Sequence, residues 1–262
     1  MADFKKSVSK AKPKDTSWNG VATWYDDLLE SGEGTYQRDL ILPNVLRLLE
    51  IKKGEKVLDL ACGQGFFSRE FFKAGASIYG VDLSKNLIEL ARKQSPKEIR
   101  FEVSSAEKLS FLESGGVDAV VCVLALQNIK NIGEVFSETA RVLARGGRFI
   151  FVINHPSFRI PKRSSWGFDE KLKIQYRRVD EYISESESEI SAHPGSDLSV
   201  STVSFHRPLQ TYFKALRKAG FLVSRLEEWT SAKSSQPGPR AVPENKARKE
   251  FPLFLAMEVL KS

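Results

Sequence analysis

The sequence predicts an α/β protein. It would form a seven-stranded, mostly parallel, doubly wound sheet with a β-hairpin inserted after strand five. Three observations carry this. Lys56–Phe72 (KVLDLACGQGFFSREFF) runs from a short apolar strand through a small-residue turn into an apolar-periodic helix. Asp118–Leu124 (DAVVCVL) is apolar on both faces, as suits a central parallel strand. Strand-like runs alternate with helical periodicity along most of the chain, which is the pattern of βα units.

The elements follow in order. Residues 1–16 hold five Lys against two Asp and are expected to be a disordered basic tail. Residues 17–50 show helical spacing at Trp24, Leu28 and Leu29, and again at Leu40, Val45, Leu46 and Leu49, with Pro43 dividing or starting a helix. The first strand, Val57–Leu60, carries an acid, Asp59, two residues before the turn Ala61-Cys62-Gly63-Gln64-Gly65. A helix over Phe66–Lys73 is closed by Gly75. Glycines let backbone approach a ligand closely, and a helix N-terminus offers unpaired N–H groups. Gly63-Gln64-Gly65-Phe66-Phe67-Ser68 nearly matches G-x-G-x-x-G/A, with Ser68 in the third small position, so a dinucleotide site is one reading. The second strand, Ser77–Val81, ends in Asp82, and a carboxylate there suits the two hydroxyls of a ribose.

VLDLACGQG followed by GVDLS resembles the first two motifs of class I S-adenosylmethionine-dependent methyltransferases. The usual form is D-x-G-x-G-x-G, and Ala61 stands where the first glycine is common. The resemblance implies a Rossmann-like methyltransferase fold and S-adenosylmethionine as cofactor. It places Asp59, Ala61, Cys62, Gly63, Gly65, Asp82 and Leu83 against that cofactor. It covers residues 50–153 well and 206–260 in outline. The leading segment of such enzymes lies over the cofactor, so Tyr25 becomes a cofactor candidate, and Tyr36 and Arg38 candidates for its methionine end or the substrate. The same aromatics also read as anchors of a helix on the core.

Ser84 can cap a helix through Gln94, and a third strand covers Ile99–Val103. The turn after it, Ser105-Ala106-Glu107, is where the family touches adenine; Ser105 replaces the commoner Asp. Strand four ends at Leu124, another cofactor candidate, and Gln127 and Asn128 follow where this fold presents substrate. Neither can act as a base near neutral pH. A helix from Asn131 ends at Gly146-Gly147, and strand five covers Arg148–Ile153. Residues 154–205 are read as an inserted substrate cap. Its hairpin pairs one long strand, Lys173–Ile190, with Val200–Phe205 across a turn at His193-Pro194-Gly195. Trp166 and Tyr176 are candidates for its acceptor pocket, with packing of the cap as the alternative. Asn154-His155-Pro156 lacks the second proline and the aromatic of the N-P-P-Y motif of amino-group methyltransferases, and it follows strand five instead of four. Residues 206–262 return to the core. A last helix has Leu209, Tyr212, Phe213 and Leu216 inward, a sixth strand ends at Trp229, and a polar, proline-rich loop spans residues 230–249. The seventh strand, Phe254–Leu260, is antiparallel in the family.

Composition bounds the rest. The 262 residues are 41% hydrophobic, enough for one globular core, and carry a net charge of +7. No run of 18 apolar residues exists, so no membrane partner is expected. The lysine-bearing N-terminus lacks the apolar run of a secretory signal. Cys62 and Cys122 read as small buried residues of a cytoplasmic protein, neither a disulfide framework nor a metal site.

The reaction implied is an in-line displacement at a sulfonium methyl, for which the protein aligns the nucleophile and excludes water. A general base helps when the acceptor must lose a proton early. His155, at a strand end, is the first candidate and His206 the second; each also reads as a structural histidine. The expected activity is methylation of a small molecule on O, N or C, by a monomer or homodimer. Alternatives are an RNA or protein methyltransferase using the basic residues, with nucleic acid the less favoured partner, a non-catalytic S-adenosylmethionine-binding protein, and a dehydrogenase.

Overall fold

The computed structural model describes residues 34–191 and 201–262. Tyr25, the basic tail, the first half of the 17–50 segment and the turn at His193 lie outside the described residues. A π-helical turn, Gln37–Ile41, leads directly into α1 (Leu42–Leu49). Pro43 sits in the first turn of α1, where its missing N–H costs nothing, and Glu50 ends the helix in the left-handed region.

The core alternates strand and helix: β1 (Lys56–Leu60), α2 (Phe66–Lys73), β2 (Ser77–Asp82), α3 (Lys85–Gln94), β3 (Arg100–Val103), β4 (Val117–Val123), α4 (Ile132–Val142) and β5 (Leu143–Asn154). Two short hairpins follow, β6 (Ser164–Asp169) with β7 (Ile174–Val179), and β8 (Ser186–Ser191) with β9 (Ser201–His206). The chain closes with α5 (Leu209–Lys218), β10 (Phe221–Trp229), α6 (Ala241–Glu250) and β11 (Phe254–Lys261). The main sheet has the order β10-β11-β5-β4-β1-β2-β3. Only β11 runs antiparallel, against both β5 and β10. The strand order reverses between β1 and β4, which opens a crevice at their carboxyl ends.

Strand residues alternate between two cores. Leu58, Leu60, Val120, Cys122, Phe149 and Phe151 pack under α4 and α5, and Val57, Val121, Ile150 and Val152 pack under α1, α2 and α3. On α2, Phe66, Phe67 and Phe71 are all buried. Each contributes about 1.5–3 kcal/mol of transfer free energy, which holds the glycine turn above it. No helix of the described residues is long and apolar enough to cross a membrane.

Four expectations change. The helix after β4 stops at Val142, and Gly146-Gly147 lies inside the extended segment, where Gly146 takes φ 72° at a register shift between β4 and β5. The inserted segment forms two hairpins, because Lys173–Ile190 breaks at Asp180-Glu181, with Glu181 at φ 53° and the Asp180 N–H tied to the Arg163 carbonyl. Part of the proline-rich loop is helical: Pro243 falls in the first turn of α6, where a helix tolerates it. Phe213 is exposed on α5, while Tyr212 and Leu216 face the core.

Candidate active site

The turn after β1 is held in three left-handed steps, at Ala61 (φ 59°), Gly63 (φ 58°) and Gly65 (φ 82°). Glycine takes such angles freely, whereas alanine pays about 1–2 kcal/mol. Gly65 caps α2, and the Gln64 side-chain oxygen accepts the Phe66 N–H at 2.6 Å. Asp59 reaches the same helix end. Its Oδ2 accepts from the Ser68 hydroxyl at 2.6 Å. Burial pushes the Asp59 carboxyl up to about 7, with the neighbouring Asp82 charge adding to the effect and the Ser68 bonds opposing it. Ser68 is thus the small residue that joins the strand acid to the helix, a role the sequence motif left unassigned.

Asp82 fastens the turn to the end of β2. Its Oδ2 accepts the Gly63 N–H at 2.9 Å and its Oδ1 accepts the Ser84 N–H at 2.8 Å. Burial raises its pKa, and the backbone bonds from Ser84, Gly63 and Leu83 hold the rise back. Leu83 beside it is half exposed. The loop after β3 adjoins it through Ser104 N–H to the Asp82 carbonyl at 3.0 Å. In that loop Ser105 Oγ accepts the Glu107 N–H, and Ala106 is buried at its base. Cys62 faces the other way. Its thiol packs under Gly80, where a Cβ would stand 3.1 Å from Sγ, and its N–H bonds the Val81 carbonyl at 2.9 Å.

At the end of β4, Leu124 is left-handed (φ 54°) and its N–H bonds the Val152 carbonyl. Gln127 donates Nε2 to the Leu124 carbonyl at 2.5 Å, while its Oε1 is buried without a partner among the described residues. Asn128 is committed to the fold: its Nδ2 donates to the Val203 carbonyl at 2.8 Å and seats β9 on this turn. Arg207, buried, adds bonds to the Ile129 and Lys130 carbonyls.

The remaining candidates scatter. His155 is buried with both ring nitrogens engaged, Nδ1 accepting from Ser157 N–H at 3.2 Å and Nε2 meeting Glu228 Oε1 at 2.7 Å. Burial lowers its pKa, against the pull of Glu228. His206 donates Nε2 to the Tyr182 carbonyl at 2.8 Å. Tyr36 lies edge-on to Phe254 at 5.7 Å and bonds Ser231 Oγ, while Arg38 lies over the Phe66 ring at 5.0 Å. The π-helical segment and Tyr36 before it therefore span from the glycine turn to the carboxyl end of β5 beside β11. Trp166 and Tyr176 stand on opposite faces of the first hairpin, because Trp166 pairs with Arg177 and Tyr176 pairs with Gly167. Trp166 turns to Phe251 at 5.4 Å, and Tyr176 covers Gly167.

Comparison with known proteins bears on this geometry. A family profile described as "Methyltransferase domain" matches residues 58–151. An S-adenosylmethionine-dependent methyltransferase from Mesorhizobium loti superposes with a TM-score of 0.67 at 26% identity, covering 83% of this chain and 96% of that one. Residues 58–151 thus match a methyltransferase domain, and the chain shares the fold of an S-adenosylmethionine-dependent methyltransferase.

Curated relatives place the domain further. The ubiquinone biosynthesis O-methyltransferase of Thiobacillus denitrificans is 33% identical over 132 residues, which is 49% of this chain and 57% of the relative. The demethylmenaquinone methyltransferase of Tropheryma whipplei is 31% identical over 113 residues, 42% of this chain and 46% of the relative. The matched part of the methyltransferase domain thus spans about half the length of these relatives. A Listeria monocytogenes structure at 24% identity and TM-score 0.65 shares the fold.

The donor set fits S-adenosylmethionine. Two buried acids, Asp59 and Asp82, both held above their ordinary range by burial, favour a ligand that brings positive charge. Gln64 Nε2, in the turn itself, is a buried donor with no partner among the described residues. Asp82 keeps acceptor capacity for a ribose hydroxyl beyond its backbone bonds, beside the exposed apolar Leu83.

Proposed function

We propose that this chain binds S-adenosylmethionine in the crevice between β1 and β4 and methylates a small-molecule acceptor. The observation that carries this is the Asp59–Gly63–Asp82 constellation: one acid under the glycine turn, one across it, and the turn locked between them by the 2.9 Å bond from Gly63. The cofactor would supply an electrophilic sulfonium methyl. Asp82 would orient the ribose, the Ala61–Gly65 backbone would lie along the methionine part, and Leu83 with Ala106 would sandwich the adenine beside Ser105 and Glu107. Leu124 would form the floor between cofactor and acceptor, and Gln127 would direct its unpartnered Oε1 to a donor of the acceptor.

In this reading the two histidines hold structure. His155 ties β5 to β10 and His206 ties β9 to Tyr182, so the acceptor's proton leaves to solvent or to the acceptor's own groups. The 154–205 insertion serves as substrate cap, supported by the seating of β9 on the turn after β4. Residues 17–50 serve as lid, supported by Tyr36 and Arg38 spanning the mouth. The buried free thiols of Cys62 and Cys122 suit a reducing, cytoplasmic setting.

The test is transfer of labelled methyl from S-adenosylmethionine to pooled hydroxylated and amino-bearing aromatics, with total RNA and total protein as parallel acceptors. Label in the small-molecule fraction, abolished in Asp82→Ala, supports the reading. Label confined to RNA or protein overturns it.

A further inference from the structure

The first hairpin and the stretch before it hold several arginines, and their pairing differs sharply. Those on the outside each have an acid: Arg163 meets Glu181 at 3.0 Å, Arg178 meets Asp180 at 3.1 Å, and Arg240, from the loop beside the hairpin, meets Glu170. The two on the inside have none among the described residues. Arg159 leaves the end of β5 on a turn closed by its own N–H to the His155 carbonyl at 2.8 Å. Its guanidinium lies over the Phe254 ring at 5.4 Å and has neither a carboxylate nor a hydrogen-bond acceptor among the described residues. Arg177 donates to the Phe158 carbonyl and to Ser164 Oγ, each at 2.7 Å, and lies over Trp166 at 5.1 Å, again without an acid. Glu228, on the neighbouring β10, is taken by His155.

These two cations also stand close enough to repel. Burial lowers the Arg159 pKa, and the charge of Arg177 lowers it further. Burial does the same for Arg177. A third positive group borders them: Lys233 Nζ lies 4.6 Å over the ring of Tyr36, which itself packs on Phe254. Phe254 pairs with Asn154 at the carboxyl end of β5, so the cluster opens on the same side of the sheet as the cofactor crevice. A fold does not gather uncompensated, partly desolvated positive charge for stability. Arginine is suited to carboxylate and phosphate because its planar fork donates two parallel bonds.

We propose that Arg159, supported by Arg177, receives an anionic group of the methyl acceptor, a carboxylate or a phosphate, with the aromatic walls of Tyr36 and Phe254 beside it. The acceptor is then an anionic aromatic or apolar small molecule. This rests on the methyltransferase reading for the word acceptor; the anion site itself is tested separately.

The full chain would be titrated calorimetrically with S-adenosylhomocysteine first, then with benzoate, phenyl phosphate and neutral benzamide, both with and without S-adenosylhomocysteine. The wild type is expected to bind at least one anion and to prefer it to benzamide by about tenfold or more. Whichever anion binds tighter identifies carboxylate or phosphate. Arg159→Gln is expected to lose that preference without a large fall in Tm, since the charge it removes has no acid partner among the described residues, and Arg159→Lys to keep part of it. Equal binding of benzamide, no anion binding by wild type, or unchanged preference in Arg159→Gln would each overturn the proposal. A lowered Tm in Arg159→Gln with unchanged preference would mark Arg159 as structural. Failure of S-adenosylhomocysteine to bind overturns the methyltransferase reading instead, and the anion titrations without it still decide the role of Arg159.

Discussion

Ser68 Oγ and Asp59 Oδ2 lie 2.6 Å apart, both buried, and this bond fixes the first strand to the first helix of the core. The glycine turn is suspended between those two anchor points. Removing the hydroxyl leaves a buried carboxyl with one partner fewer. Ser68→Ala is expected to lower stability by about 1–3 kcal/mol. Urea unfolding of the two proteins at one pH reads this directly.

Asp59 also gives the fold a pH dependence. Its folded pKa is about 7 against 3.8 for the free side chain. Between those values the folded protein keeps a proton that the unfolded chain has lost. Its contribution to stability is therefore full below about pH 4 and falls as pH rises through about 7, by at most about 1.4 kcal/mol per pH unit. Asp59→Asn, neutral throughout, should flatten that slope. Unfolding free energies across pH 4 to 8 that show the same slope in both proteins would mean that Asp59 does not set the pH dependence.

Ala61 is held at φ 59°, where a Cβ crowds the following carbonyl. Ala61→Gly relieves this and is expected to raise stability by about 1 kcal/mol, the gain being reduced by the greater freedom of glycine in the unfolded chain. Thermal unfolding is sensitive to a change of this size.

Gly80 presents the opposite case. A Cβ there would fall 2.5 Å from Phe101 Cδ1 and 3.1 Å from Cys62 Sγ. Gly80→Ala should cost about 1–3 kcal/mol through overpacking, and the displaced Cys62 should become accessible to a thiol reagent in the folded protein. A thiol that stays as protected as in wild type would contradict the packing described.

Much of the site was legible because its signals are local. The β1–turn–α2 unit, the Ser84 cap and the acid at the end of β2 each lie within a few residues of one another, and the structure keeps those bounds nearly residue for residue. The hidden parts depend on distant chain. Nothing near Trp166 or Tyr176 tells that cross-strand pairing sends them to opposite faces. The break at Asp180-Glu181 is marked in the sequence only by two successive polar residues in a segment otherwise read as one strand, and α6 forms in a stretch whose prolines argue for a loop. The sequence leaves His155 open between base and structural histidine, because Glu228, 73 residues further on, arrives only through the antiparallel insertion of β11 beside β10. Arg159 and Arg177 carried no sequence signal at all, since the absence of a nearby acid is a property of the folded chain.

In the proposed function, Asp82 at the end of β2 holds S-adenosylmethionine in the crevice between β1 and β4. Calorimetric titration of wild type and Asp82→Asn with S-adenosylhomocysteine tests it most directly, the asparagine preserving shape while removing charge and one acceptor. Wild type is expected to bind one-to-one and the variant to lose about 1–3 kcal/mol, roughly tenfold to a hundredfold in affinity. Absence of binding to wild type, or equal affinity in the two proteins, would contradict it.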